Sequence, residues 1–316
     1  MLVALDWGTS NLRAYLMSAP GAVVETRHAA RGILHLPMPA DAGGFEQAFA
    51  EIADDWVRTD PTISIVAGGM VGSAQGWREA PYARAPADIG TLAAHAVRIA
   101  SGLGPDILIA PGVIFEPPDR EPDVMRGEEI KIAGAVAAEP RLGERAWFVL
   151  PGTHSKWAFV QDRRIVSFAT YMTGEIYAVL REHSILGRLM STEPADAAAA
   201  ELGFATGLEA ARDGSPGDLS HRLFATRTLG LTGRLPRNAL ADYLSGLLVG
   251  HELRSALAAS QTTRDAGAPL VLLGDAALCR RYARALQAFG AAVSAQLDDT
   301  APRGLWELAR AAGLRV

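Results

Sequence analysis

The chain opens on an apolar run, Leu2 to Asp6, that ends in an acid. After the polar stretch Trp7-Gly8-Thr9-Ser10 a second run extends from Asn11 to Ser18. Short apolar runs bounded by turn residues predict strands, so the chain begins as strand, tight turn, strand. Phe45, Phe49, Ile52 and Trp56 recur at helical spacing and predict a helix with one apolar face. It feeds a β-branched run, Thr62 to Ala67, that ends at Gly68-Gly69. Asp106 to Ala110 predicts a further strand stopped by Pro111-Gly112, and the Glu/Pro-rich stretch Glu116 to Asp123 reads as a loop before a helix starting near Gly127. These segments make one α/β unit.

The pattern then begins again. Trp147 to Leu150 predicts a strand, Pro151-Gly152-Thr153-His154-Ser155 a turn, and Lys156 to Val160 and Arg164 to Thr170 two more strands. Each half starts with a strand and a Gly-Thr-Ser type turn into a second strand, an echo that predicts duplicated domains and is too short for a repeat array. Downstream, Leu240, Leu244, Leu247 and Leu248 form an apolar helical face after Pro236. The strand Leu270 to Leu273 precedes a helix with Leu278, Tyr282, Ala285, Leu286 and Phe289 on one side. No heptad array or low-complexity linker is present. The expected division is a first domain over residues 1–140, a second over 141–301, and a last helix over about 302–316 that packs back on the first.

Composition narrows the function. At 316 residues the chain is long enough for two domains, each with its own core. With 49% hydrophobic and 21% charged residues it has no apolar run near the ~20 residues that span a bilayer, so no membrane protein is expected. No basic segment precedes Leu2, and Asp6 interrupts the run that follows, so a signal peptide is not expected and the location is read as cytoplasmic. A single cysteine, Cys279, excludes an intrachain disulfide and a Cys-rich zinc site, leaving oxygen ligands for any metal. A net charge of -5 with no basic run offers nothing to nucleic acid, so the expected partner is a small molecule. A homodimer is compatible with this composition. Of the 30 basic residues only Lys131 and Lys156 are lysines, which draws attention to Lys156 beside the second turn.

Two turns carry the candidate chemistry. In Asp6-Trp7-Gly8-Thr9-Ser10-Asn11, a glycine turn can bring backbone amides against phosphate, Thr9 and Ser10 can donate to its oxygens, and the strand-end Asp6 can hold Mg²⁺ directly or through water. The same residues would also make a plain hairpin turn. The corresponding place in the second half holds Pro151-Gly152-Thr153-His154-Ser155-Lys156, where Lys156 offers a point charge for phosphate unless it is an ordinary exposed strand lysine. His154 can contact phosphate or act as an acid or base, and with no visible partner it reads first as a turn or supporting residue. A phosphate chain gripped by both turns would lie in a cleft between the domains.

Five motifs stand in order along essentially the whole chain: Asp6 to Asn11; Gly69-Met70-Val71-Gly72-Ser73 with Gly76-Trp77-Arg78-Glu79-Ala80-Pro81-Tyr82; Arg126-Gly127-Glu128-Glu129; Leu150 to Trp157; and Met172-Thr173-Gly174-Glu175. Together they resemble the 2-dehydro-3-deoxygalactonokinases. The resemblance implies the α/β fold of actin, Hsp70 and the acetate and sugar kinases: two actin-like (ribonuclease H-like) domains of similar type flanking a nucleotide and substrate cleft. It implies ATP as phosphoryl donor and 2-dehydro-3-deoxy-D-galactonate as the sugar-acid substrate, phosphorylated on its 6-hydroxyl. In the wider superfamily the second turn usually opens with an acid. Pro151 stands there in this chain, which leaves Mg²⁺ to Asp6.

For the general base, the best local candidate is Arg126-Gly127-Glu128-Glu129, although acids in a helix's first turn are also ordinary partners of its dipole. A similar Gly-Glu-Glu segment in the exopolyphosphatase branch points to Glu128, with Asp123 as second choice. The glycine-rich loop from Gly68 to Tyr82 carries Ser73, Gln75, Trp77 and Arg78 and reads as the sugar-acid loop, unless Trp77 packs on the core and the loop is an ordinary connection. Thr173 and Glu175 are expected to close the other side. Arg13, Arg78 and Arg126 are all candidates for the substrate carboxylate, and the sequence does not choose among them. Gly274-Asp275, between a strand and a helix, resembles the superfamily's adenosine motif, while Asp275 would equally serve as a helix N-cap. There is no P-loop and no H-E-x-x-H helix. The rival readings are a kinase for another sugar, an exopolyphosphatase-like phosphatase of the same fold, and a non-catalytic nucleotide-binding sugar sensor.

Overall fold

The computed structural model describes residues 1–18, 22–193, 196–215, 217–260 and 267–316. β1 (Leu2–Trp7) and β2 (Leu12–Ser18) form the expected antiparallel hairpin. The ladder closes on the pair Trp7 and Leu12, so the turn is residues 8–11, one residue later than the sequence suggested. β3 (Ala22–Ala29) adds to β2 with a bulge at Leu16/Met17. Its largely exposed residues, Ala22 to Ala29, show no apolar alternation by which to foresee it. α1 (Gly44–Thr59) buries Phe45, Phe49, Ile52 and Trp56, as their spacing predicts, and carries the chain across to β4 (Ser64–Gly69), which runs parallel to β1. A parallel neighbour requires such a crossover. β5 (Tyr82–Arg84), α2 (Ile89–His95), β6 (Val97–Ala100) and β7 (Asp106–Ile109) follow, completing a six-stranded sheet ordered β3-β2-β1-β4-β7-β6. β8 (Gly112–Phe115) and β9 (Asp123–Met125) join β5 in a small sheet ordered β5-β8-β9, and β9 runs through Arg126-Gly127 into α3 (Glu128–Ala138).

β10 (Arg145–Leu150), β11 (Ser155–Gln161) and β12 (Arg164–Tyr171) repeat the opening. The helices α4 (Thr173–His183), α5 (Ala197–Arg212), α6 (Leu219–Leu223), α7 (Ala225–Leu231) and α8 (Leu240–Ser260) come next. β13 (Leu270–Leu273), α9 (Ala276–Ala288), β14 (Val293–Leu297) and α10 (Ala301–Ala311) end the chain. The five-stranded sheet is ordered β12-β11-β10-β13-β14, the third, second, first, fourth and fifth strands of its half. The first sheet has the same order in β3-β2-β1-β4-β7. The echo seen between the two turns is therefore an echo of topology, that of the actin-like α/β class.

The chain forms two compact units, residues 1–148, 158–168 and 297–316, and residues 149–157 and 169–296. In the first, α10 lies against α3 with almost no room. A Cβ added to Gly304 would stand 1.9 Å from the Ile130 carbonyl oxygen, and one on Gly134 2.0 Å from that of Thr300. The Thr300 hydroxyl donates to the Lys131 carbonyl at 2.7 Å, and Leu305, Trp306 and Leu308 fill the interior. In the second unit α5 and α8 approach backbone to backbone, since a Cβ on Gly207 would meet the Tyr243 carbonyl oxygen at 2.2 Å. Leu240, Leu244, Leu247 and Leu248 are buried as their spacing predicts. Among the described residues, no helix is long and apolar enough to cross a membrane.

Candidate functional site

The first turn is held from one side only. The amides of Gly32, Ile33 and Leu34 donate to the carbonyls of Ser10, Gly8 and Thr9 at 3.1 Å each. The turn's carbonyls are thus occupied, while among the described residues no backbone carbonyl accepts from the amides of Thr9, Ser10 or Asn11. These three residues are exposed. Free amides beside free hydroxyls on one turn are the donor set that an anion-binding concavity requires. Asp6, the penultimate residue of β1, is partly exposed, and among the described residues its carboxylate is in no hydrogen bond or ion pair, which leaves it available as an oxygen ligand. Arg13 is its cross-strand partner. Burial works against the Arg13 charge, but Tyr15, Asp6 and Asp299 outweigh it and hold the guanidinium above its ordinary value.

Two glycines bring α3 to this turn. Gly69, at φ 93°, ends β4, and Gly127, at φ 109°, precedes α3; both conformations disfavour a side chain. A Cβ on Gly127 would lie 3.3 Å from the Gly69 Cα, and one on Gly69 would lie 2.8 Å from the Trp7 carbonyl oxygen and 3.6 Å from the Asp6 carboxylate. The start of α3 therefore adjoins the Asp6 end of β1. Glu128 is partly exposed there and accepts from the Arg126 amide at 3.2 Å. Glu129 is fully buried, and its carboxyl accepts from the Gly127 amide at 2.8 and 2.9 Å. Burial, then the neighbouring Glu128 charge, push Glu129 up to about 8. Asp123 begins β9 and bonds the amide of Val124.

The loop between β4 and β5 is organised from beneath. Arg126 Nη2 donates to the Ala80 carbonyl at 2.9 Å, and its guanidinium lies 4.4 Å from the centre of the Tyr82 ring. Its Nε and Nη1 are buried and have no acceptor among the described residues. Ser73 donates to the Met70 carbonyl and closes the first turn of the loop. Trp77 does not stand free to shield a sugar. It stacks on Phe45 at 5.8 Å, meets Trp7 edge-on at 5.9 Å, and sends its indole N–H to Glu46. With Phe49 at 6.2 Å it has three aromatic neighbours, which hold the ring against the core. Gln75 and Arg78 are exposed.

In the second unit the turn after β10 leaves Thr153 and His154 exposed, but Ser155 points inward. The Ser155 hydroxyl is fully buried, 2.9 Å from that of Tyr282 and 3.5 Å from the Gly152 amide, so it anchors the turn from within and is not displayed to a phosphate. Lys156 is neither an exposed strand lysine nor open to solvent. It is 5% exposed and donates to the Thr170 hydroxyl at 2.7 Å. Thr173 and Glu175 are likewise engaged. Thr173 donates to Glu252, while Glu175 pairs with His154 through its carboxylate and bonds the Thr153 carbonyl through its amide. Gly174 permits this contact, for a Cβ there would come 2.5 Å from the Gly152 carbonyl oxygen. At the end of β13, Gly274 adopts φ 137° and faces the Pro151 carbonyl, and Asp275 caps α9 by accepting from the Leu278 amide at 2.9 Å.

Sequence reasoning missed Glu129, Tyr282 as a polar group, and Glu252. An acid within the apolar stretch of α8, two turns after Leu244 on its buried side, was the available signal for Glu252. Among the described residues, no three His, Cys, Asp or Glu side chains form a metal cluster.

Comparison with known proteins adds the following. The 2-keto-3-deoxy-galactonokinase family matches residues 6–308. The 2-dehydro-3-deoxygalactonokinase of Escherichia coli K12 is 35% identical over 302 residues, covering 95% of this chain and 94% of that one. A crystal structure from Sinorhizobium meliloti, provisionally named for the same enzyme, superposes with a TM-score of 0.83 at 31% identity, covering 98% and 99% of the two chains. The activator of 2-hydroxyisocaproyl-CoA dehydratase from Clostridium difficile, solved with bound ADPNP, shares the fold at a TM-score of 0.50 and 11% identity over 98% of this chain and 92% of that one.

Proposed function

The chain belongs to the 2-keto-3-deoxy-galactonokinase family, and from that premise we propose that it transfers the γ-phosphoryl group of ATP to the 6-hydroxyl of 2-dehydro-3-deoxy-D-galactonate, releasing ADP, in the cytoplasm. The observation that carries this reading is the family match over residues 6–308, which contains both turns, the α3 start and the loop between β4 and β5.

In this reading each element has one task. The free amides of Thr9, Ser10 and Asn11 and the hydroxyls of Thr9 and Ser10, with Gly8 giving close approach, hold phosphate oxygens. Thr153 and His154 do the same in the second unit, with Gly152 giving close approach, Ser155 and Lys156 stiffening the turn, and Gly274 and Asp275 meeting the adenosine. Mg²⁺ would be held by Asp6, water and phosphate oxygens, where it would neutralise developing charge. One carboxylate suits it, since this ion keeps several waters and uses few protein ligands. Glu128 accepts the proton of the 6-hydroxyl as its oxygen attacks phosphorus in line, and ADP departs with the electrons of the broken P–O bond.

Of the three arginines, Arg126 suits the substrate carboxylate best. Its buried donors lack acceptors, a state that costs free energy until an anion fills it, whereas Arg13 already sits among acids and Arg78 is exposed. Ser73 and Gln75 lie on the loop between β4 and β5, which Arg126 holds through the Ala80 carbonyl. The test is ADP release against a panel of hexoses, aldonates and 2-keto-3-deoxy acids, with the product located by phosphorus NMR. Turnover of the galacto-configured keto-deoxy acid is expected, with rejection of glucose and galactose. Efficient use of neutral hexoses alone overturns the substrate assignment, and ATP binding without sugar-stimulated ADP release overturns the kinase. Arg126→Ala should raise KM for the sugar acid roughly 10- to 100-fold and leave that for ATP nearly unchanged.

A further inference from the structure

Beneath the second turn lies a buried carboxylate that the mechanism above does not use. Glu252, on α8, is 3% exposed. Its Oε1 accepts from the Trp157 indole at 2.8 Å, and its Oε2 from the Tyr282 hydroxyl at 2.7 Å and from the Thr173 hydroxyl. Those donors come from β11, α9 and the first turn of α4, so one side chain ties three elements to α8. Tyr282 then meets the Ser155 hydroxyl at 2.9 Å, and Ser155 lies 3.5 Å from the amide of Gly152 in the turn itself.

The direction of the protons along this chain is fixed at its buried end. A carboxylate only accepts, so Tyr282 must donate to Glu252. Its single proton being spent, Tyr282 can only accept from Ser155. Ser155, having donated inward, keeps its lone pairs for the Gly152 N–H. Each group is left in the one orientation that suits the turn. The indole of Trp157 is donor-only and cannot turn round.

We propose that Glu252 is a positioning residue for phosphate binding, which sets the shape of the second turn through Tyr282 and Ser155 without touching the nucleotide. The proposal rests on the kinase reading for what that turn holds. An isosteric change tests it. In Glu252→Gln the carbonyl must stay opposite the Trp157 indole, so the amide NH₂ faces Tyr282 and Thr173. The hydroxyls then reverse in turn: Tyr282 donates to Ser155, whose own proton loses its inward acceptor and which keeps one lone pair for the Gly152 N–H, so the bond that fixed its orientation beneath the turn is gone.

The assay is titration calorimetry of ADP with Mg²⁺ on the intact protein, alongside steady-state kinetics. Glu252→Gln should weaken ADP binding and raise KM for ATP by roughly 5- to 30-fold, with KM for the sugar acid within about 2-fold of wild type. Tyr282→Phe should act in the same direction, and the double variant should be no worse than the worse single one, because both break the same chain. Leu247→Ala, a core change on the same helix, is the control: it should lower Tm with ADP affinity unchanged. ADP affinity within 2-fold of wild type in Glu252→Gln, or an equal loss in Leu247→Ala, overturns the proposal. Because binding is read without turnover, a wild-type protein that binds ADP but phosphorylates no sugar acid refutes the kinase reading alone. Failure of the wild type to bind ADP refutes both.

Discussion

Replacing Glu129 by Gln should remove a pH dependence of stability that the wild-type fold carries. The Glu129 carboxyl is fully buried and titrates near 8, against an ordinary value of 4.5. Burial is the main cause, and the Glu128 charge adds to it; the Gly127 amide pulls the other way and is outweighed. Between those two values the folded protein keeps a proton that the unfolded chain has lost. Stability therefore falls as pH rises through this window, by at most about 1.4 kcal/mol for each pH unit. From pH 5.5 to 7.5 the loss attributable to Glu129 is about 2 to 3 kcal/mol. Glutamine stays neutral throughout and keeps a carbonyl acceptor for the Gly127 N–H, so Glu129→Gln should lack that slope. Other groups also titrate: burial lowers His251 and raises Glu252, but both are common to the two proteins and cancel in the difference. Urea unfolding followed by tryptophan fluorescence reads the right unit, because Trp7, Trp56, Trp77, Trp147 and Trp306 lie in the first unit and only Trp157 in the second. The stability of Glu129→Gln relative to wild type should rise steadily from pH 5.5 to 7.5. A difference that stays constant across that range refutes the reasoning, and would mean that Glu129 is ionised in the fold at all these pH values.

Two further outcomes are expected. Glu128→Gln should lower kcat by about 10²- to 10⁴-fold with ATP binding nearly intact, as for loss of a proton acceptor; if Asp123→Asn is the crippled variant instead, the base is the earlier acid. Gly304→Ala places a methyl 1.9 Å from the Ile130 carbonyl oxygen and should force α10 off α3, costing about 1 to 3 kcal/mol and lowering Tm by several degrees in a circular-dichroism melt. An unchanged Tm would mean that the two helices separate freely.

What the sequence determined by itself is local. The apolar run of β1, the spacing of Phe45, Phe49, Ile52 and Trp56 in α1, and the two Gly-Thr-Ser type turns each encode their geometry in adjacent residues, because strand and helix periods are properties of a single segment. The ordered set of five motifs likewise pointed to the family that matches residues 6–308. The tertiary structure decided which way the polar side chains of those segments turn. Ser155 and Ser10 look alike in sequence, yet Ser155 is drawn inward to Tyr282, 127 residues away, while Ser10 is exposed. Trp77 looked like a loop residue until Phe45 and Trp7 closed on it. Glu252 reads as one acid in an apolar helix until Trp157, 95 residues earlier, donates to it. In each case the cost of burying an unpaired polar group, or the gain from burying a ring, is settled by neighbours that only the folded chain assembles.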